Sequence, residues 1–153
     1  GHVAQALGTS ATARYFLISR RLIESFNSSF HGHPNTQARH GTNRLYMHPD
    51  DLSNLGLTDD DAVRVRSSHG EVIGYVRLDA TMRRGSVSMS HCWGSGSQFD
   101  PLFLRGAHTG RLISIHSEVQ TINRMPLQTG IPVNIEKLGF TLHQARAGAV
   151  ATL

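Results

Sequence analysis

The chain has 153 residues, 39% of them hydrophobic, which suits one domain with a single core. One cysteine, Cys92, excludes an internal disulfide framework, a four-Cys zinc site and an all-Cys iron–sulfur cluster, and no apolar run is long enough for a membrane-spanning helix. The net charge of +4 is confined to residues 1–49, where Arg14, Arg20, Arg21, Arg39 and Arg44 face Glu24 alone, whereas basic and acidic side chains cancel over residues 50–153.

Gly1-His2 reads as a tag scar, and residues 3–13 are small and polar, without the cationic and apolar regions of a signal peptide. Residues 1–14 are therefore expected to be a flexible lead-in. Tyr15-Phe16-Leu17-Ile18 is a buried strand that runs into Ser19-Arg20-Arg21. The Arg pair has the look of a twin-arginine export signal, but Glu24, Asn27, Ser28 and Ser29 stand where the apolar region would follow. Residues 27–44 read as a long polar loop. Leu45-Tyr46-Met47 is a second strand. Pro49-Asp50-Asp51 then opens a short helix, with Leu52 and Leu55 facing inward and Gly56 closing it.

Val63 and Val65 alternate with Arg64 and Arg66, and Ser68-His69-Gly70 leads into Glu71 to Leu78, so this stretch is a hairpin. After a turn at Met82-Arg83-Arg84-Gly85, Val87 and Met89 alternate with Ser86, Ser88 and Ser90 in another strand. Leu112 to Ile115 and Ile131 to Ile135 are two more candidate strands. The tail after Leu138 is left as disordered or loosely helical. Short strands with brief helices point to a small closed or Greek-key β barrel.

Local motifs leave the chemistry open. His31-x-His33 lacks a third ligand fixed by spacing, so it reads as a pair of loop histidines and no metal is assigned. Adjacent His91 and Cys92 on a strand point to opposite faces and do not make a nucleophilic pair. Gly94-Ser95-Gly96-Ser97 has no Gly-Lys-Ser/Thr element after it. It is either a flexible loop or a cradle of backbone amides. Arg20-Arg21 is either a ligand-facing rim or a solvated edge that guards the strand end. Of the 15 basic side chains 14 are Arg, whose planar fork fits phosphate bidentately. No catalytic residues emerge by spacing.

The order of the segments adds what no single one carries. Phe16-Leu17-Ile18-Ser19-Arg20-Arg21 is followed by Asn27-Ser28, Met47-His48-Pro49-Asp50-Asp51 and Leu55-Gly56-Leu57. Asp61-Ala62-Val63-Arg64-Val65, Gly70-Glu71-Val72 and Arg84-Gly85-Ser86-Val87 come next. His91-Cys92-Trp93-Gly94 and Gly130-Ile131-Pro132-Val133-Asn134-Ile135-Glu136 complete the series. This succession resembles the C-terminal dinucleotide-binding domain of the molybdopterin oxidoreductases, the family of formate dehydrogenases, nitrate reductases and dimethyl sulfoxide reductases, over residues 15–138.

The resemblance implies a mainly β fold, a double-psi β barrel related to aspartate decarboxylase, with short helices. It implies a domain that closes over a molybdopterin guanine dinucleotide carrying molybdenum or tungsten in a larger parent. Ser19, Arg20, Arg21, Asn27, Ser28, His91, Cys92, Trp93, Gly94, Gln128, Thr129 and Gly130 are the implied cofactor contacts. The matches at Pro49-Asp50, Asp61 and Gly70 are turn and cap positions. Two departures stand out: Thr109-Gly110-Arg111 precedes Leu112 where the family often has an Asn, and Phe99 to Ala107 is an insertion. The family's metal ligand and cluster cysteines belong to earlier domains. The chain is therefore expected to be catalytically inactive alone and to hold no cofactor alone. Its expected partners are the remaining domains of the parent, with no nucleic acid and no membrane, and the expected compartment is the cytoplasm.

Two other readings carry their own expectations. A self-processing decarboxylase-like barrel would be cleaved at Gly85-Ser86. A barrel for protein or nucleic-acid contact would use the basic first third.

Overall fold

The structure, a computed structural model, describes residues 15–23, 33–94, 106–114, 119–126 and 128–151. Six strands close into a barrel: β1 (Tyr15–Arg20), β2 (Arg44–Met47), β3 (Asp61–Arg66), β4 (Glu71–Leu78), β5 (Ser86–Ser90) and β6 (Ile131–Thr141). Around the barrel the order is β1-β5-β2-β4-β3-β6. Two neighbouring pairs are parallel, β1 with β5 and β2 with β4, and the others are antiparallel. The expectation of a small mainly β barrel with short helices holds.

Period-two alternation builds the interior. On β1, Tyr15 and Leu17 are buried while Phe16 and Ile18 face out. Val63 and Val65 of β3, Val72 and Val76 of β4, and Val87 and Met89 of β5 turn inward in the same way. Leu45, Met47, Ile131 and Val133 complete a continuous core. Each fully buried aliphatic side chain contributes roughly 1.5–3 kcal/mol. The Ser residues of β5 are not all solvated as simple alternation implies, because Ser88 and Ser90 are buried as well.

The helices sit where the sequence places its His-Pro steps. α1 (Pro34–Arg39) and α2 (Pro49–Asn54) both begin with Pro after a capping His. The Nδ1 atoms of His33 and His48 accept from the backbone N–H groups of Asn35 and Asp50, at 3.3 and 3.1 Å. On α2, Leu52 is buried and Leu55 packs against the core, as read from the sequence. Asp51 is buried too, and its carboxylate accepts from Gly85 N–H at 2.8 Å, which ties α2 to the turn before β5.

Three readings of the sequence need correction. Residues 27–44 are not all loop, since α1 forms within them and His33 caps it rather than sitting free. The described part of the Leu112 to Ile115 stretch, residues 112–114, does not join the barrel. Thr109–Leu112 is a short 3-10 turn, η1, and Ser114 is buried beyond it, while Ile115 lies outside the described residues. The closed barrel has no free edge to accept a further strand. The barrel does not stop at Leu138: β6 continues to Thr141, paired with β3 as far as Asp61, and the helical alternative for the tail is met by α3 (Leu142–Ala151). Buried Leu142 anchors α3, and its N–H donates to the Asp60 carbonyl at 2.9 Å. No described helix is long and apolar enough to cross a membrane.

Register sets the position of the site. Leu17 pairs with both Val87 and Ile131, and Ser19 pairs with Met89. The C-terminal ends of β1 and β5 therefore meet the start of β6 at one mouth of the barrel. The three segments that enter this mouth, Ser19–Arg21, Ser90–His91 and Gln128–Ile131, are far apart in the chain.

Candidate dinucleotide cleft

A cleft of about 410 Å³ opens at this mouth. Leu17, Met89, Ile113 and Ile131 supply its apolar surface, and Ser19, Arg21, His91, Thr109, Gln128 and Thr129 its polar one. The polar groups are linked to one another. Ser19 N–H donates to Thr129 Oγ1 at 3.2 Å, and Ser19 Oγ lies 3.5 Å from His91 Nδ1. The arrangement places hydroxyl and imidazole groups where they can hydrogen-bond the edge of a ligand.

Of the twelve residues implied by the resemblance, Ser19, Arg21, His91, Gln128 and Thr129 line this cleft. Asn27 and Ser28 lie outside the described residues. The other five have different surroundings. Arg20 turns to the opposite face of β1, because consecutive strand side chains alternate. Its guanidinium stacks 3.9 Å above the Tyr46 ring and donates to Asp79 at 2.7 Å. Asp79 is held below its ordinary value by the hydrogen bond from Thr81 and then by Arg20. Arg20 thus braces the strand while Arg21 faces the cleft.

Trp93 is interior, 2% exposed, and packs against Gly106. Cys92 is exposed with φ +63° and does not line the cleft. Gly94 and Gly130 also have positive φ, and the cleft surface includes neither. Gly94 works by close approach instead. A Cβ there would stand 2.4 Å from the Gly106 carbonyl oxygen. Gly106 in turn has no room for a Cβ, which would come within 2.7 Å of Asn43 Oδ1 and 2.9 Å of Trp93 Cβ.

Asn43 is the residue that motif reading missed. It is 2% exposed and its amide fastens two segments together. Nδ2 donates to the carbonyls of Ser90 and Ala107, both at 2.9 Å, and Oδ1 accepts from Ala107 N–H at 2.7 Å. This clip fixes the residue before His91 against the segment that leads into η1. Thr109 and Ile113, at either end of η1, are the other cleft residues that the motifs did not single out. Their approach depends on the 106–114 segment folding back over the barrel, for which no local periodicity exists. Thr109 itself stands in the segment where the sequence departs from the family pattern.

The chemistry of this donor set fits a heterocycle bound to a phosphate. The apolar residues offer a surface for a flat ring, while hydroxyl, amide and imidazole groups serve its edges. Arg21 supplies one exposed guanidinium for an anion.

The description "Molydopterin dinucleotide binding domain" belongs to the family whose sequence profile matches residues 15–130. No curated protein matches the chain. Among solved structures the fold is similar to acetylene hydratase from Pelobacter acetylenicus, with a TM-score of 0.73 and 17% identity. That match covers 90% of this chain and 20% of the other, so the chain spans about a fifth of that protein's length. With most of its length, the whole barrel up to the start of β6, inside the family match, this chain belongs to the molydopterin dinucleotide-binding domain family.

Proposed function

We propose that the cleft holds the nucleotide part of a molybdopterin guanine dinucleotide within a larger molybdenum- or tungsten-dependent oxidoreductase of the formate dehydrogenase type. The observation that carries this reading is the convergence of Ser19, Arg21, His91, Gln128 and Thr129 on one cleft from three distant segments. At about 410 Å³ the cleft is at the lower end of the ~300–1,000 Å³ range of small-molecule sites. That size suits one heterocycle with its adjoining phosphate better than a whole dinucleotide, so the rest of the cofactor lies against the parent's other domains.

In this reading Gln128, Thr129 and Ser19 hold the ring edge, and Arg21 neutralises phosphate. The cofactor, when bound, supplies the redox-active metal; the chain supplies position and charge compensation and no catalytic group. The remaining domains of a cytoplasmic parent are the proposed partners. The basic first third does not favour a nucleic acid, because Arg20 and Arg44 are engaged by Asp79 and Asp60. Those internal pairs remove two of its five cations from any phosphate-tracking stripe.

Titration of the chain with guanosine diphosphate, followed by amide chemical shifts, tests the proposal. Shifts at Ser19, His91 and Thr129, with a Kd of about 1 mM for half a site, are expected. Arg21→Ala should reduce that affinity and, in the full-length parent, weaken cofactor retention by about 1–3 kcal/mol. Shifts elsewhere, or binding unaffected by the substitution, would remove the proposal.

A further inference from the structure

A second cavity, also about 410 Å³, lies outside the barrel and shares no lining residue with the first. Its floor is the outer face of β3 and β4, where Arg64 pairs across the ladder with Ile73 and Tyr75 stands beside them. The 106–111 segment forms one wall through Ala107, His108 and Arg111. The other wall is α3 with the residues that enter it, where Phe140, Leu142, Ala145 and Arg146 face the space. η1 separates the two cavities, since Thr109 faces the cleft and Arg111 the outer cavity.

The floor is apolar and open. Ile73 is 44% exposed, although the neighbouring inward positions of β4 are sealed. The rim is cationic. Arg64, Arg111 and Arg146 surround the space against one carboxylate, Glu71, and the His108 ring lies on the same rim. Glu71 is already engaged by Arg64 at 3.8 Å and by Arg66 at 3.0 Å. Arg64 is further matched by Glu136 at 3.3 Å. The lining therefore holds no carboxylate left over to balance Arg146 on α3. The field of Arg146 reaches the floor, where it favours ionisation of Tyr75, but burial outweighs it and pushes that hydroxyl up, so the phenol stays neutral.

We infer that this outer cavity binds a small amphipathic monoanion, with a compact aryl or branched-alkyl body against Ile73, Phe140 and Ala145 and a carboxylate at Arg146. An apolar body is required because an inorganic anion would leave the floor in water. A single negative charge suffices, because Arg146 is the lining cation that no lining carboxylate balances. The site is separate from the cleft and stands whether or not the cleft binds a nucleotide.

The test compares 4-phenylbutyrate, its neutral amide and inorganic phosphate on the same chain, by calorimetry and by amide chemical shifts. 4-Phenylbutyrate is expected to shift Ile73 and Ala145 and to bind at least ~10-fold more tightly than the amide or phosphate. Arg146→Gln, at an exposed helix position, should remove most of that preference. Ala145→Trp, which fills the space, should abolish binding. The amide resonances of the core residues Val65 and Val87 in the ligand-free chain serve as the control for folding, and neither variant should alter them. Equal affinity for acid and amide, binding that survives Ala145→Trp in a folded chain, or shifts confined to the cleft would each overturn the inference.

Discussion

The guanidinium of Arg20 and the carboxylate of Asp79 meet at 2.7 Å, across 59 positions of sequence, beneath a strand end whose next residue faces the cleft. Both side chains are partly buried, so screening weakens the pair without removing it. Asp79→Asn should cost about 1 kcal/mol at neutral pH, since a charge-assisted bond becomes a neutral one. The pH dependence follows from the depressed value of Asp79. A carboxyl depressed by folding stabilises fully above its unfolded value and loses that contribution as pH falls through its folded value. The gap between wild type and Asp79→Asn in urea unfolding should therefore be constant between pH 7 and about pH 5. It should close below the ordinary Asp value of 3.8. A gap that persists into strong acid would show that the carboxylate is not its source.

Asn43 carries three hydrogen bonds from a fully buried position. Asn43→Ala leaves two carbonyls and one N–H in the interior without their partner. The expected loss is about 2–4 kcal/mol, most of it desolvation left uncompensated. Because the clip joins Ser90 to Ala107, the loss should be local before it is global. Hydrogen exchange at the Ala107 amide should accelerate more than exchange at Val65 in the core. Equal acceleration at both would mean that Asn43 serves general stability and does not hold the cleft.

The barrel was legible because its signal is local. Val63-Arg64-Val65 and Val87-Ser88-Met89 show their period-two faces in a few residues, and both became strands with the expected side inward. The cleft was legible only in part. Of the residues that motif order names, Ser19, Arg21, His91, Gln128 and Thr129 line one cleft, whereas Arg20, Cys92 and Trp93 have other surroundings. Which of two adjacent arginines meets a ligand depends on strand register, and register is fixed by partners far along the chain. Asn43 and Thr109 were invisible for a related reason. Their roles arise where the 106–114 segment folds back, and no periodicity in that segment announces the contact. The helix starts were half legible: Pro49 and the acids after it marked α2, but the cap is His48 instead of a more usual Ser, Thr, Asp or Asn.

That cap makes a direct test of the His-Pro helix start. His48 Nδ1 accepts the Asp50 N–H, so a ring nitrogen takes the place of the usual capping oxygen. His48→Asn supplies a side-chain oxygen at nearly the same reach and should leave stability within about 0.5 kcal/mol. His48→Ala removes the acceptor and should cost about 1 kcal/mol, measured by urea unfolding. Equal effects of the two substitutions would assign the His48 contribution to packing instead of capping.

Gly106 and Gly130 both have positive φ but differ in surroundings, which separates backbone strain from crowding. At Gly130, φ is +69° and a Cβ would meet nothing within 4 Å. Gly130→Ala should therefore cost only the left-handed backbone penalty, about 1–2 kcal/mol. At Gly106, φ is +152° and the added Cβ would press on Asn43 Oδ1, Trp93 Cβ and the Trp93 ring. Those neighbours are themselves buried and cannot yield without breaking the Asn43 clip. Gly106→Ala should cost at least ~3 kcal/mol, the overpacking adding to the strain. In a double variant with Asn43→Ala the cost of Gly106→Ala should fall, because one of the colliding atoms is gone and the clip is already open. Additive losses in that cycle would mean that the Trp93 contact alone sets the crowding, and that Gly106 and Asn43 act independently on the approach to the cleft.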